Sequence, residues 1–228
     1  MYKATLTSLT MLTALVCFAG AAHAQAPDII VDPNCDAGKI EKITRAVDGA
    51  MKRLADVDNV INSSPAQFNE AFAKAFGKYE PGSDAEQWAG IGFILYHANI
   101  RPLLTHTAGV TISSGPAPTW PRVTFRCAAQ DYADLAAERI DDKIVLYPVF
   151  FEDKEVPNEG RWGKVRGSRI GTILHESIHL LGGPADIRED GRLQDVQAEE
   201  LAKNADGRAL SNAANYEMFY MSYPFQSL

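Results

Sequence analysis

The segment 167–181, GSRIGTILHESIHLL, constrains the fold more than any other stretch of the chain. Its apolar residues recur at the three- and four-residue spacing of a buried helix: Ile170, Ile173, Leu174, Ile178 and Leu181. The same helix carries His175, Glu176 and His179. Burying polar side chains without partners costs free energy. The fold must therefore surround this helix with other elements and provide its buried polar side chains with hydrogen-bond partners or a metal ion.

The spacing of the two histidines predicts a metal site. Residues four apart lie one turn apart on the same helix face, so His175 and His179 can reach one cation. Zinc suits imidazole ligands, keeps an open position and lowers the pKa of a bound water. Glu176 lies on the flank of that face, where it can act as general base for attack on a peptide carbonyl. We therefore predict one Zn²⁺ per chain.

Three continuations of this motif would supply different third ligands. A metzincin needs a glycine three residues after the second histidine and His or Asp six after, but Ala185 stands at the second position. A gluzincin carries a glutamate about twenty residues on, where this chain has Glu199. Asp186 follows a Gly-Gly-Pro sequence that can end the helix and turn the chain back. Spacing alone leaves Asp186 and Glu199 as alternatives.

The first 24 residues are typical of a secretory signal peptide. A short positive start, MYK, precedes the apolar run LTSLTMLTALVCFAGAA, and AHA provides a cleavage site between Ala24 and Gln25. The run is short for a membrane span, and no stop-transfer pattern follows it. We predict an exported mature protein, residues 25–228, that is periplasmic or secreted and has no membrane span.

Charge and cysteine content narrow the class further. The net charge of −7 and the lack of Lys/Arg runs argue against nucleic acid or anionic lipid as partners. We expect a monomer that acts on protein or peptide.

The cysteines predict a disulfide. After loss of Cys17 with the signal peptide, Cys35 and Cys127 remain, and export favours a disulfide between them. Loop closure gives such a bridge about 4 kcal/mol of stabilisation.

The order of the predicted elements indicates a single α+β domain. Helical periodicity appears over 37–61, 64–79 and 84–104, and again over 197–205 and 209–223. Segments 109–115 and 121–127 alternate and read as a hairpin or two short strands. A further strand is expected in KIVLYPVFF, residues 143–151, where Pro148 demotes it to an edge strand or ends it.

Three segments resemble the aspzincin family of zinc endopeptidases, which includes deuterolysin and the peptidyl-Lys metalloendopeptidases. GGPAD resembles the family's Gly-Thr-x-Asp turn, IVLYPVFF its strand before the active-site helix, and AEELAKNADGRALSNAANYEMF its closing segment. The resemblance covers about residues 143–220. It implies a zincin-like fold, endopeptidase activity and Asp186 as third zinc ligand, with Glu199 in an ordinary helix.

The chain departs from the family pattern at two places. Tyrosines that often follow the ligand aspartate are replaced by Ile-Arg-Glu, which leaves Arg188 or Tyr216 as candidate donors to the tetrahedral intermediate. Lysine-specific relatives have an aspartate where this chain has Ala214, so Glu217 is the matching acid that remains. The resemblance thus implies peptide cleavage without strict lysine preference, and Tyr216 and Glu217 become candidate substrate contacts.

Substrate binding is expected at the strand before the active-site helix. In zincins an extended peptide pairs with an edge strand through main-chain hydrogen bonds. The candidates here are Val145, Leu146 and Tyr147.

Two other functions remain open, a gluzincin with Glu199 as ligand and a zinc-stabilised binding protein or adhesin that no longer cleaves peptides. Retention of Glu176 argues against the second, because a purely structural site needs no base.

Overall fold

The computed structural model describes residues 26–80, 83–111, 116–130, 135–153, 168–183, 194–204 and 207–222. The predicted signal peptide 1–24, Asp186 and Arg188 lie outside these ranges.

Three α-helices follow one another in the first half of the described chain: α1 (Ala37–Ser63), α2 (Pro65–Phe76) and α3 (Asp84–Leu104). Asp36 caps α1 by accepting from the Lys39 amide at 2.8 Å, and Ser83 caps α3 by accepting from the Glu86 amide at 3.1 Å. Helix α2 begins at Pro65, whose fixed φ and missing N–H suit a first helical position. The helices predicted from periodicity over this half are confirmed.

The described residues also form one sheet with four strands, the first of which precedes α1: β1 (Ile30–Val31), β2 (Thr124–Cys127), β3 (Ala137–Ile140) and β4 (Lys143–Leu146). Their order across the sheet is β1-β2-β4-β3. Strand β2 runs parallel to both β1 and β4, whereas β3 runs antiparallel to β4. The β3–β4 connection is a tight turn in which Asp141 has a φ of 56°. The sheet therefore ends in a short antiparallel strand.

Segments 109–115 and 121–127 were predicted as a hairpin or two short strands, and among the described residues a strand is confirmed in the second segment. That strand is 124–127, and its neighbours are β1 and β4. Of the earlier segment, the described residues 109–111 belong to no strand, and an isolated bridge joins Ala108 to Thr119. Strands β1 and β3 were not predicted, because two and four residues are too short to show a clear alternation.

Of the two alternatives predicted for Pro148, the edge strand is wrong and the end of the strand is confirmed. Strand β4 lies inside the sheet, paired with β2 on one side and β3 on the other. Pro148 ends the strand instead, since it is the first residue of the short helix α4 (Pro148–Glu152). The Tyr147 amide donates to the Ala136 carbonyl at 2.9 Å. Main-chain pairing of a substrate with Val145, Leu146 and Tyr147 is therefore blocked by the neighbouring strands.

The C-terminal elements are α5 (Arg169–Leu180), α6 (Gln194–Lys203), a 3₁₀ turn (Gly207–Ser211) and α7 (Ala213–Ser222). Helix α5 packs against α7, α1, α3 and β3, so it lies at the centre of the domain. An aromatic cluster joins α2, α3 and α7; its members are Phe68, Phe72, Phe76, Phe93, Tyr216 and Phe219. The phenylalanines that recur at helical spacing in α2 thus belong to the hydrophobic core or pack against it.

A disulfide joins Cys35, just before α1, to Cys127 at the end of β2. Both cysteines are buried at 4% exposure, and the bridge is the one predicted from the sequence. It ties the first helix to the sheet across 92 residues of sequence. Within the described ranges, no helix combines the length and apolar character needed to cross a membrane.

Candidate active site

Helix α5 carries the motif in a buried setting. Its N-cap Ser168 accepts from the Gly171 amide at 2.9 Å, and residues 170–178 are buried throughout. Ser177 satisfies its hydroxyl within the helix by donating to the Ile173 carbonyl at 2.7 Å. Three further polar side chains of this helix are buried: Thr172, His175 and Glu176, at 6%, 5% and 4% exposure. The buried helix predicted from the sequence is therefore present.

The two histidines converge on one point. Nε2 of His175 lies 3.2 Å from Nε2 of His179. Two nitrogens that ligate a tetrahedral zinc, each about 2.0–2.1 Å from the metal, are separated by about 3.3 Å. The observed separation therefore fits two ligands of a single zinc ion.

Glu217 stands behind the first histidine. Its Oε2 atom lies 3.2 Å from Nδ1 of His175, the ring nitrogen that does not face His179. Glu217 belongs to α7, which packs along α5. A metal-ligating histidine commonly has its other ring nitrogen against a carboxylate, which fixes the tautomer and the orientation of the ring. The pair therefore has the arrangement of a zinc ligand with an outer partner.

The C-terminus of α5 is closed by a Schellman motif. The Gly183 amide donates to the Ile178 carbonyl at 2.9 Å, and the Gly182 amide donates to the His179 carbonyl at 3.1 Å. Gly182 has a φ of +77°, which favours glycine. Arg139 on β3 also donates to the His179 carbonyl, at 2.6 Å. The turn directs the chain into 184–193, the stretch that contains Asp186 and lies outside the described residues.

The third ligand is not among the residues that the structure describes. No three His, Cys, Asp or Glu side chains in those ranges form a group that could hold a metal ion. Glu199 belongs to α6, which packs against α2 and α7. The alternative with Glu199 as ligand is therefore wrong, because the tertiary structure does not bring that carboxylate to the histidine pair.

Tyr216 cannot serve as a donor to the reaction or as a substrate contact. Its side chain is fully buried, and its hydroxyl donates to the Leu210 carbonyl at 3.2 Å. Burial, and then the nearby Tyr96 and Tyr79, raise the pKa of Tyr216 above its ordinary range. Its ring packs on Phe76 with centroids 4.9 Å apart. Both predicted roles of Tyr216 are corrected: it is a core residue.

The strand that borders the site is β3. Its Arg139 side chain contacts the end of α5, and β3 packs against that helix. The Tyr147 amide donates to the Ala136 carbonyl, so these two opposite residues form a hydrogen-bonded pair. In an antiparallel ladder such pairs alternate with pairs that share no hydrogen bond, and Ala137 and Arg139 therefore belong to the second kind. The main-chain groups of Ala137 and Arg139 therefore point away from β4. Sequence reasoning missed this strand, because four residues with mixed polarity show no clear period.

A buried helix with the His-Glu-x-x-His pattern, packed on a mixed sheet that ends in an antiparallel strand, defines a zinc metallopeptidase of the zincin class. The model of the aspzincin family, described as lysine-specific metallo-endopeptidase, matches residues 105–221, more than half of the chain. The protein therefore belongs to the aspzincin family of zinc metalloendopeptidases, as the resemblance implied.

Comparison with solved structures agrees in fold. A zinc peptidase from Grifola frondosa matches 82% of this chain and 96% of its own, with a TM-score of 0.55 and 20% sequence identity. That likeness extends the common fold beyond the family match into the N-terminal helices. A comparison with curated proteins found no match.

Proposed function

We propose that the protein is an exported zinc endopeptidase in which His175, His179 and Asp186 hold the metal and Glu176 is the general base. The convergence of the two histidine Nε2 atoms at 3.2 Å, in the buried helix that carries Glu176, is the main support. Asp186 enters through the family resemblance and through the turn at Gly182–Gly183, which ends α5 three residues before it.

Zinc, when bound, polarises the scissile carbonyl and lowers the pKa of a water at the site. The Glu176 carboxylate accepts a proton from the attacking water and then gives it to the nitrogen of the leaving amine. Its position next to His175, at 4% exposure, keeps bulk water from competing for that proton. Arg188 is the remaining candidate for a donor to the tetrahedral intermediate, because the Tyr216 hydroxyl is held by Leu210.

The substrate is proposed to pair with β3 rather than β4. Main-chain groups of Ala137 and Arg139 face away from β4, and β3 packs against the helix that carries the histidines. An extended peptide added to this edge would gain main-chain hydrogen bonds next to Glu176. This assignment keeps the mode of binding predicted from the sequence and moves it to the neighbouring strand.

Cleavage is proposed not to be restricted to lysine. Ala214 is buried at 7% exposure and provides no charge where lysine-specific relatives have an aspartate. Glu217, the remaining acid, lies against His175. A lone carboxylate already placed beside an imidazole is a weaker attraction for a lysine ammonium than a pair of acids. The family name therefore does not transfer its specificity to this chain.

Export rests on the first 24 residues, which have the order of charges, apolar run and small residues of a signal peptide. The disulfide between Cys35 and Cys127 is consistent with an oxidising compartment, periplasmic or extracellular. The mature chain is proposed to act as a monomer.

The test is hydrolysis of casein by the mature chain, residues 25–228, compared with Glu176→Gln. Both proteins are loaded with zinc and checked for equal metal content. Loss of a general base lowers the rate by about 10²–10⁴-fold, so wild type is expected to cleave and the variant to be nearly inactive. Sequencing of the cleavage sites then tests whether cleavage requires a lysine.

Equal zinc content and no cleavage by either protein, across several unfolded substrates, would contradict the proposal. That result would favour the zinc-stabilised binding protein instead. Equal cleavage by both proteins would remove Glu176 from the mechanism.

A further inference from the structure

We propose that Glu217 is a positioning residue for zinc binding: its carboxylate holds the His175 imidazole so that Nε2 meets Nε2 of His179. The inference rests on the proposed function, because it requires His175 to be a ligand. It gives Glu217 a role in the metal site in place of the substrate contact predicted from the sequence.

The contact has the distance that this role requires. Oε2 of Glu217 lies 3.2 Å from Nδ1 of His175, and Nε2 of the same ring lies 3.2 Å from His179. A carboxylate next to Nδ1 favours the tautomer with its proton on Nδ1, which leaves the Nε2 lone pair available to a metal. His175 is 5% exposed, so water competes little for the Nδ1 proton.

Gly171 provides the space for this carboxylate. A Cβ atom added at Gly171 would lie 2.5 Å from Oε1 and 3.1 Å from Cγ of Glu217. Gly171 is one turn before His175 on α5, so both residues face α7 at the place where Glu217 approaches. Glycine is unfavourable inside a helix, because its backbone loses more freedom than that of alanine. Its presence here is explained by the close approach of Glu217, together with that of the Ser168 hydroxyl at 3.0 Å.

The packing of α7 determines which of its residues faces α5. Tyr216 and Phe219 are buried in the aromatic cluster, with centroids 4.9 Å and 5.9 Å from that of Phe76. These contacts set the rotation of α7 about its axis. Glu217, one position after Tyr216, is turned by about 100° and comes to lie on the α5 side. The aromatic cluster thereby places a carboxylate beside the histidine.

The experiment measures zinc affinity by competition with a chromophoric chelator, for wild type, Glu217→Ala, Glu217→Gln and Gly171→Ala. Loss of an outer partner of a ligating histidine weakens metal binding by about 10–100-fold, which is the expected rise in Kd for Glu217→Ala. Glu217→Gln is expected to lose less, because its amide oxygen can still accept from Nδ1. Gly171→Ala is expected to weaken binding by displacing an intact Glu217.

Two matched controls separate this effect from general damage. Glu199→Ala removes a carboxylate from the neighbouring helix α6, and Gly90→Ala fills a helical glycine of α3 that has no atom within 4 Å of the added Cβ. Both are expected to leave the zinc Kd unchanged. In the metal-free protein, ¹⁵N chemical shifts of His175 are expected to show the Nδ1–H tautomer in wild type and a mixture in Glu217→Ala.

An unchanged Kd and an unchanged His175 tautomer in Glu217→Ala would overturn the inference, even if peptide cleavage fell. If Glu217→Ala does not fold, the zinc Kd and the His175 tautomer are measured in Gly171→Ala instead. Both unchanged would again overturn the inference. The variant His175→Ala distinguishes this failure from failure of the proposed function. Zinc affinity that does not depend on His175 would overturn both, whereas dependence on His175 without dependence on Glu217 would overturn only this inference.

Discussion

Two buried histidines of this protein each lie against a carboxylate, and they differ in what the second ring nitrogen meets. His97 on α3 places Nε2 2.9 Å from Asp58 and Nδ1 3.0 Å from the Tyr220 hydroxyl. His175 on α5 places Nδ1 3.2 Å from Glu217, but its Nε2 lies 3.2 Å from Nε2 of His179. One ring has a carboxylate and a hydroxyl as partners; the other directs its second nitrogen at an imidazole.

This difference separates a structural histidine from a metal ligand. Tyrosine and aspartate can satisfy both nitrogens of an imidazole, so the His97 cluster is complete without a metal ion. Two imidazole nitrogens that face each other share at most one proton, and their separation matches that of two zinc ligands. Burial and a carboxylate partner therefore do not distinguish the two histidines, whereas convergence on a second imidazole does.

The largest expected effect is on zinc. His179→Ala is expected to weaken zinc binding by more than about 100-fold, because loss of a ligand should exceed the loss of an outer partner. His97→Ala is expected to leave the zinc Kd unchanged. Chelator competition on both variants measures this contrast. Equal weakening by the two variants would mean that the comparison between the histidines does not hold.

For the free energy of unfolding, we expect the opposite order, with a larger loss for His97→Ala than for His179→Ala. His97→Ala leaves the buried Tyr220 hydroxyl without its partner, and such a loss costs about 1–3 kcal/mol in the free energy of unfolding. For a domain of this size each kcal/mol lowers Tm by about 2–4 °C. Calorimetry of the metal-free protein measures the shift. His106→Asn is a suitable control, because His106 has a φ of 50°, which asparagine tolerates.

Removal of single hydroxyls should have smaller effects. Tyr220→Phe deletes the partner of His97 Nδ1, and one hydrogen bond contributes about 0.5–1.5 kcal/mol to stability. Tyr216→Phe deletes the donor to Leu210 and is expected to cost a similar amount without changing kcat. Urea denaturation and casein hydrolysis together test this pair. A large fall in kcat for Tyr216→Phe would restore its predicted catalytic role.

The smallest expected effect is the pH dependence carried by Asp58. Desolvation raises the pKa of this carboxyl, but the hydrogen bond and charge of His97, together with Arg101, outweigh it and lower the pKa below its ordinary value. A lowered pKa in the folded protein stabilises it above the unfolded value of about 3.9, and this contribution disappears as the pH falls further. Wild type and Asp58→Asn are therefore expected to differ in unfolding free energy at pH 6 and to converge below about pH 4. Divergence towards acid pH would contradict the sign.

The sequence predicted local structure well and pairing poorly. Periodicity located the long helices, and the Gly-Gly pair marked the end of α5, because helix propagation and capping depend on residues a few positions apart. It did not predict that β4 is an interior strand or that β3 borders the site. Strand pairing joins residues distant in sequence, and the short strands β1 and β3 carry little pattern of their own.

The candidate site divides in the same way. His175, Glu176 and His179 could be identified because an i, i+4 relation within one helix is fixed by the helix itself. The carboxylate beside them could not, since Glu199 and Glu217 both lie in predicted helices whose rotation the sequence does not reveal. Tyr216 and Glu217 are adjacent, yet one is in the aromatic core and the other against His175.

By itself the sequence determined a buried helix with two histidines and a glutamate, a signal peptide pattern and a resemblance to the aspzincins. Only the tertiary structure decided that Glu217 meets His175, that Glu199 stays away, that Tyr216 is a core residue and that β3 is the edge strand beside α5. The physical reason is range. Helical geometry is set by neighbours along the chain. The face that a helix presents is set by packing against distant elements, as where Asn215 bonds to Ala75, 140 residues away.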